Sequence, residues 1–156
     1  MIRFDDRVAL VVGGSGGIGL ATLEAFSEAG AKTVCLDVRP PSEGEHAFLD
    51  LFVEVDVSDG SAVQAAVTEV AEAAGRIDVV VYCAGITRDA ALWKLSAEDW
   101  ASVIGVNLTG AFNVLGSVTP HLRKHGGAVV LVASINGERG KRGQANYAAS
   151  KGGLIA

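Results

Sequence analysis

The stretch that decides the fold is Val8-Ala-Leu-Val-Val-Gly-Gly-Ser-Gly-Gly-Ile-Gly-Leu20. Its first five residues are apolar on both faces, the pattern of a strand buried on both sides of a sheet. The glycines then turn the chain into an amphipathic segment, Ile18 to Ala29, of helical period. Within the turn, Gly14-x-Gly16-x-x-Gly19 fits the spacing of a dinucleotide-binding turn, and Gly13-x-x-x-Gly17-x-Gly19 fits a wider-spaced relative. Either spacing puts bare backbone N–H groups and the positive end of a helix where a pyrophosphate can sit. Ser15 and Ile18 lie inside the same loop.

The same alternation continues outward. Further β-branched runs occur at Thr33–Asp37, Phe52–Val55, Ile77–Tyr82 and Ala128–Ala133. Between them lie Ser61–Ala74, with Ser58 or Asp59 as a cap, and one long segment from Ser96 to His125. Both-face apolar strands alternating with helices predict an α/β fold: a doubly wound parallel sheet of Rossmann type with helices on both sides. Pro40 and Pro41 mark Arg39–Asp50 as a surface loop. A last helix begins at Gln144 and is still running at Ala156, with no capping signal and no sixth strand after Ala128–Ala133. That edge strand would be bare and wholly apolar, which predicts a single domain over 1–156 belonging to a longer protein. The alternative is a natural terminus whose edge is covered by oligomerisation.

Composition excludes several classes. A chain of 156 residues suits one domain. With 13 basic and 18 acidic residues, net charge −5, and no basic block, neither nucleic acid nor an anionic membrane is an expected partner. Its fully apolar stretches are only strand-long and its start lacks a secretory signal, so the expected location is cytoplasmic. Cys35 and Cys83, 48 positions apart in apolar runs, read as buried reduced thiols. His121 and His125 share a helix face without a third ligand, so no metal site is expected; with Arg123 and Lys124 they suit a helix C-terminus. Asn107-Leu-Thr109 matches a glycosylation acceptor but has no secretory context. Trp93 and Trp100 read as packing residues, Trp93 alternatively as a border of a substrate cleft.

The glycine loop has two rivals. Leu20 stands where a P-loop needs Lys and then Ser or Thr, which excludes a nucleoside triphosphatase. Gly13-x-Ser15-x-Gly17 also fits a hydrolase nucleophile elbow, but His121 and His125 fall at a helix end. Asp37 closes the second strand 18 residues after Gly19, where a carboxylate can accept both ribose hydroxyls. A carboxylate there repels a 2′-phosphate, so NAD(H) is expected in preference to NADP(H).

The far end of the chain carries a second constellation. Tyr147 and Lys151 are four apart early in the last helix, so the ammonium can lie near the phenol and favour its ionised form. A free phenol, with pKa of about 10, is a poor base at neutral pH. Ser134 ends the fifth strand, at the carboxyl edge where such sheets bind ligands.

Together these residues resemble the classical short-chain dehydrogenases/reductases along the whole chain. The resemblance implies that Tyr147 donates or accepts the proton and that Ser134 hydrogen-bonds the carbonyl or hydroxyl oxygen. It implies that Lys151 binds the nicotinamide ribose and lowers the Tyr147 pKa, and that Asn107 kinks its helix and holds a relay water. Asp56-Val57 match the pair that contacts adenine, and Ala84-Gly85 match the end of the family's Asn-Asn-Ala-Gly segment. Two departures stand out: Val12 replaces the usual Thr, and Tyr82-Cys83 replace two Asn. They remove polar groups that help tie strands one and four, so the cofactor floor is expected to be less firmly held.

Gly85-Ile-Thr-Arg-Asp89, Trp100, Val106-Asn-Leu-Thr-Gly110, Asn136-Gly137 and Gly143-Gln-Ala-Asn-Tyr147 are similar to 3-oxoacyl reductases acting on acyl-carrier-protein or CoA thioesters. The resemblance thus implies an oxidoreductase interconverting a ketone and a secondary alcohol, and the exposed Tyr147 helix and fifth strand predict self-association as a homodimer or homotetramer. The alternative from the residues themselves is a non-catalytic dinucleotide-binding fragment without a complete substrate site.

Overall fold

The computed structural model describes residues 2–42 and 47–156. Five parallel strands, β1 (Val8–Val12), β2 (Lys32–Asp37), β3 (Leu51–Glu54), β4 (Val79–Tyr82) and β5 (Ala128–Leu131), form one sheet in the order β3-β2-β1-β4-β5. The chain winds outward from β1 to β3, returns to place β4 on the other side of β1, and continues to β5. The reversal leaves a crevice at the carboxyl ends of β1 and β4, the place where open α/β sheets bind ligands.

Both faces of the sheet are covered, as the unbroken apolar strands demand. Val8, Leu10 and Val12 point to one side and pack with Val63, Val67, Val114 and Val118 of the helices α2 (Gly60–Ala74) and α4 (Gly110–His125). Val11, Cys35 and Val81 point to the other and meet Leu23 of α1 (Gly17–Glu28). Val12, one of the two departures, is fully buried in the larger core. The Asp59 carboxylate caps α2 by accepting from the Ser61 and Ala62 N–H groups, and Gly75 ends it with φ 79°.

Ser96 to His125 is not one regular helix. It divides into α3 (Ala97–Ile104), a π-turn (Gly105–Thr109) and α4, with the Gly110 N–H reaching back five residues to the Gly105 carbonyl. An inserted residue of this kind is invisible to a 3.6-residue period, and such turns cluster at functional sites. The run 97–125 has the length and hydropathy of a membrane span, yet Val103, Ala111, Val114 and Val118 face the protein core.

Other differences from the sequence reading are local. A short helix, α5 (Ile135–Arg139), precedes α6 (Ala145–Ile155), and β4 and β5 are shorter than their apolar runs. Trp93 is 78% exposed and Trp100 41%, so neither is a core residue. Residues 43–46 of the Arg39–Asp50 loop lie outside the described residues; its end is fixed by Asp50, whose carboxylate accepts from the Thr33 N–H at 2.7 Å. At the amino edge, Asp78 accepts from Arg7, Arg76 and the Val8 N–H. Burial alone would raise this carboxyl's pKa, but those donors outweigh it and hold it at about 2.

Candidate active site

The glycine loop is shaped by contact. Gly13 has φ +76°, and a Cβ there would stand 2.6 Å from the Ala84 Cα and N, so loop and floor touch without intervening side chains. A Cβ on Gly19 would collide with the Gly13 carbonyl, which fixes α1 directly against the turn. The N-cap of α1 is Gly16, and no side chain caps the helix. Its first amides therefore face an open concavity, and Cβ positions at Gly16 and Gly17 meet nothing within 4 Å. These features fit a pyrophosphate, whose charge suits uncapped amides at a helix start.

Asp37 does two things at once. One carboxylate oxygen accepts from the Ser15 N–H at 3.0 Å and the other from the Val38 N–H at 2.8 Å, tying the loop to β2. A carboxylate has about four lone-pair sites, so acceptor capacity remains for a diol. Ser15 Oγ donates to the Arg39 carbonyl at 2.5 Å. The cleft beside them has a volume of about 440 Å³ and is bordered by Gly13, Ser15, Asp37, Asp56, Val57 and Ala84-Gly85, with Arg39 and Val106 joining the wall. Asp56 itself accepts from Ser58 N–H and Oγ at 2.9 and 2.7 Å.

Among the described residues, no histidine stands near Ser15 to serve the hydrolase rival. Ser15 is at the carboxyl edge, whereas His121 and His125 lie in the second half of α4, beside Arg76 and the start of β5 at the opposite edge. Among the described residues, no group of three potential ligands could hold a metal ion.

Asn107 sits at the centre of the π-turn and is fully buried. Its Oδ1 accepts from the Ile86 N–H at 2.8 Å, while Nδ2 donates to the Ile86 carbonyl at 3.1 Å and to Ser150 Oγ at 3.0 Å. Ser150 Oγ in turn donates to the Tyr147 carbonyl, joining the π-turn to α6. A Cβ on Gly85 would lie 3.5 Å from Asn107 Oδ1 and 3.6 Å from Lys151 Nζ, so the floor, the π-turn and the lysine converge at one point.

Lys151 is only 3% exposed. Its ammonium donates to the Val132 carbonyl at 2.6 Å and lies 5.8 Å from the centre of the Tyr147 ring. Burial lowers its pKa, and nearby Cys83 opposes that shift. Cys83 is half-buried; burial raises its thiol pKa, and the Lys151 charge partly offsets it. Cys35 is fully buried, with its thiol pushed up to about 11 by burial. Ser134 follows β5 as the N-cap of α5, its Oγ accepting from the Asn136 N–H at 3.2 Å. Gly137 of α5 lies directly on Gly152 of α6, which seats the serine segment beside the Tyr147–Lys151 helix.

Several positioning groups escaped the sequence reading. Gln144, buried, accepts from Asn136 Nδ2 and donates to Asp89, linking α5, the start of α6 and the loop after β4. Asn146, fully buried, donates to the Arg88 and Asp99 carbonyls. Both belong to the Gly143-Gln-Ala-Asn-Tyr147 run, but their partners are distant in sequence. Tyr82 is the largest surprise: its hydroxyl donates to the Val106 carbonyl at 2.5 Å. The departure that suggested a loosely held floor supplies a different tie.

Comparison with known proteins decides the lineage. The family model described as short chain dehydrogenase matches residues 7–156. This chain belongs to the short-chain dehydrogenase family. It is 40% identical to the 3-oxoacyl-(acyl-carrier-protein) reductase FabG of Thermotoga maritima, over 99% of this chain and 66% of that protein. It is 39% identical to the acetoacetyl-CoA reductase of an Acinetobacter strain, over 97% of this chain and 65% of the relative. The crystal structure of gox2181 superposes with a TM-score of 0.88 at 32% identity, covering 97% of this chain and 63% of that one. The short-chain dehydrogenase chain therefore spans a little under two thirds of these relatives' length.

Proposed function

We propose that this chain is the dinucleotide-binding and proton-transfer part of a 3-oxoacyl thioester reductase, forming one domain over residues 1–156. The observation that carries the reading is the buried Lys151 ammonium, tied to the Val132 carbonyl between β5 and Ser134, held beside the Tyr147 ring and close to Gly85 of the glycine-loop cleft. When bound, a reduced nicotinamide dinucleotide supplies the hydride. The uncapped start of α1 takes the pyrophosphate through Gly17, Ile18 and Gly19, while Asp37 takes the adenosine ribose and Asp56-Val57 border the adenine. Lys151 holds the nicotinamide ribose, with its ammonium beside the Tyr147 ring. Ser134 donates to the substrate oxygen, and Tyr147 gives that oxygen a proton as its charge develops. Asn107 positions the relay that returns the proton.

Relatives named 3-oxoacyl-(acyl-carrier-protein) reductase and acetoacetyl-CoA reductase support a thioester substrate. Asp37, with both oxygens already engaged in the loop, supports NADH over NADPH because a 2′-phosphate would meet a fixed negative charge. Val129 and Val130, 40% and 51% exposed on β5, need cover from chain beyond residue 156 or from a second copy, the latter giving a dimer or tetramer. The test is oxidation of NADH and NADPH with acetoacetyl-CoA by the wild type, Ser134→Ala and Asp37→Ser. The reading expects NADH preference, relaxed in Asp37→Ser, and strong loss of turnover in Ser134→Ala. Dinucleotide binding without turnover in any form would instead favour a non-catalytic binding domain.

A further inference from the structure

Tyr82 ends β4 two residues before Ala84-Gly85 and is 1% exposed. Burial, with a contribution from Asp56, raises its phenol pKa, so the group is a neutral donor throughout the working pH range. It donates to the Val106 carbonyl in the π-turn, one residue before Asn107. Asn107 closes a reciprocal pair with the backbone of Ile86, one residue after Gly85. The floor is thus clamped to the π-turn on both sides. Gly110 makes room for this arrangement: a Cβ there would stand 2.5 Å from Tyr82 Oη and 2.7 Å from Val57 Cγ2.

We propose that Tyr82 is a positioning residue whose buried phenol seats the π-turn and thereby orients the Asn107 amide toward Gly85 and Lys151. Its consequence for turnover rests on the reductase reading; its consequence for the backbone does not. The test compares amide hydrogen exchange by NMR in the wild type, Tyr82→Phe, Asn107→Ala and the double variant. Tyr82→Phe is expected to speed exchange of the Ile86 N–H about tenfold, the scale of one lost buried hydrogen bond, while Val80 and Val81 inside β4 stay protected. Adding Tyr82→Phe to Asn107→Ala should then change Ile86 little, because the two act in series.

In turnover, Tyr82→Phe should lower kcat per bound dinucleotide and raise the solvent isotope effect, with KM for the dinucleotide within about twofold. Unchanged Ile86 exchange, or equal acceleration throughout β4, would overturn the proposal. So would an unchanged kcat per bound dinucleotide in an active enzyme. If Tyr82→Phe does not fold, Gly110→Ala, which pushes the phenol from the other side, is expected to speed Ile86 exchange in the same sense, and failure to do so overturns the proposal equally. Selective Ile86 acceleration in a protein without any reductase activity would sustain the positioning role and refute the reductase reading.

Discussion

Gly137→Ala should damage catalysis far more than a single methyl group suggests. Gly137 lies on the backbone of α6: a Cβ there would stand 2.6 Å from the Gly152 N and from the Lys151 carbonyl carbon, and 2.9 Å from the Lys151 oxygen. Ordinary contact begins near 3.4 Å, so α5 and α6 must separate by about 0.8 Å. None of the contacted atoms is the end of a flexible side chain, so the strain cannot be relieved by a rotamer change. The displaced backbone is that of Lys151 itself, whose 2.6 Å bond to Val132 has little tolerance for such a shift. A misplacement of about 1 Å at a reacting group costs about a hundredfold in rate, and overpacking costs about 1–3 kcal/mol of stability. Steady-state kinetics, normalised to dinucleotide-binding sites, should therefore show kcat down about a hundredfold, with dinucleotide affinity reduced much less because the glycine turn before α1 and Asp37 of β2 take no part in the α5–α6 contact. A kcat within about threefold of wild type in a folded Gly137→Ala protein would refute the argument that this glycine contact sets the lysine.

Two further outcomes follow from other contacts. Asp78 has its pKa held at about 2 against an ordinary 3.8, so its stabilising contribution is complete above pH 3.8 and is lost as pH falls toward 2. That shift corresponds to about 2 kcal/mol; urea unfolding at pH 6 and pH 2 should show this much extra acid loss in wild type relative to Asp78→Asn, and parallel losses would contradict it. Gly19→Ala drives a Cβ into the Gly13 carbonyl and must deform the loop, so fluorescence titration should show dinucleotide affinity at least about tenfold weaker with the core strands intact. Unchanged affinity would remove the glycine loop from the binding site.

How much of this was legible in the sequence depends on the range of the interactions. The strands Val8–Val12 and Thr33–Asp37, the glycine turn and α2 are set by local pattern and local caps, and they stand where the sequence reading put them to within a residue or so. The family resemblance likewise agrees with the match over residues 7–156. The π-turn at Asn107 was carried only by the resemblance, because one extra residue in a turn leaves no hydrophobic signature. The five-residue helix α5 is too short for a periodic signal and is held by Ser134 and by Gly137 lying on α6. Gln144, Asn146 and Tyr82 bond groups 8 to 58 positions away, and no spacing rule reaches them. Tyr82 was visible as a departure, but only three-dimensional packing against Val106 and Gly110 gives it a purpose.

The central claim is that Tyr147 supplies the proton while hydride passes from a nicotinamide to a 3-oxoacyl carbon. Its most direct test is single-turnover reaction of acetoacetyl-CoA with NADH deuterated at the transferring C4 position, with product mass measured for wild type and Tyr147→Phe. The account predicts 3-hydroxybutyryl-CoA carrying one deuterium at C3 from the wild type, and little or none of this product from Tyr147→Phe at undiminished NADH binding. Product lacking the deuterium, or equal yield from the two proteins, would contradict it.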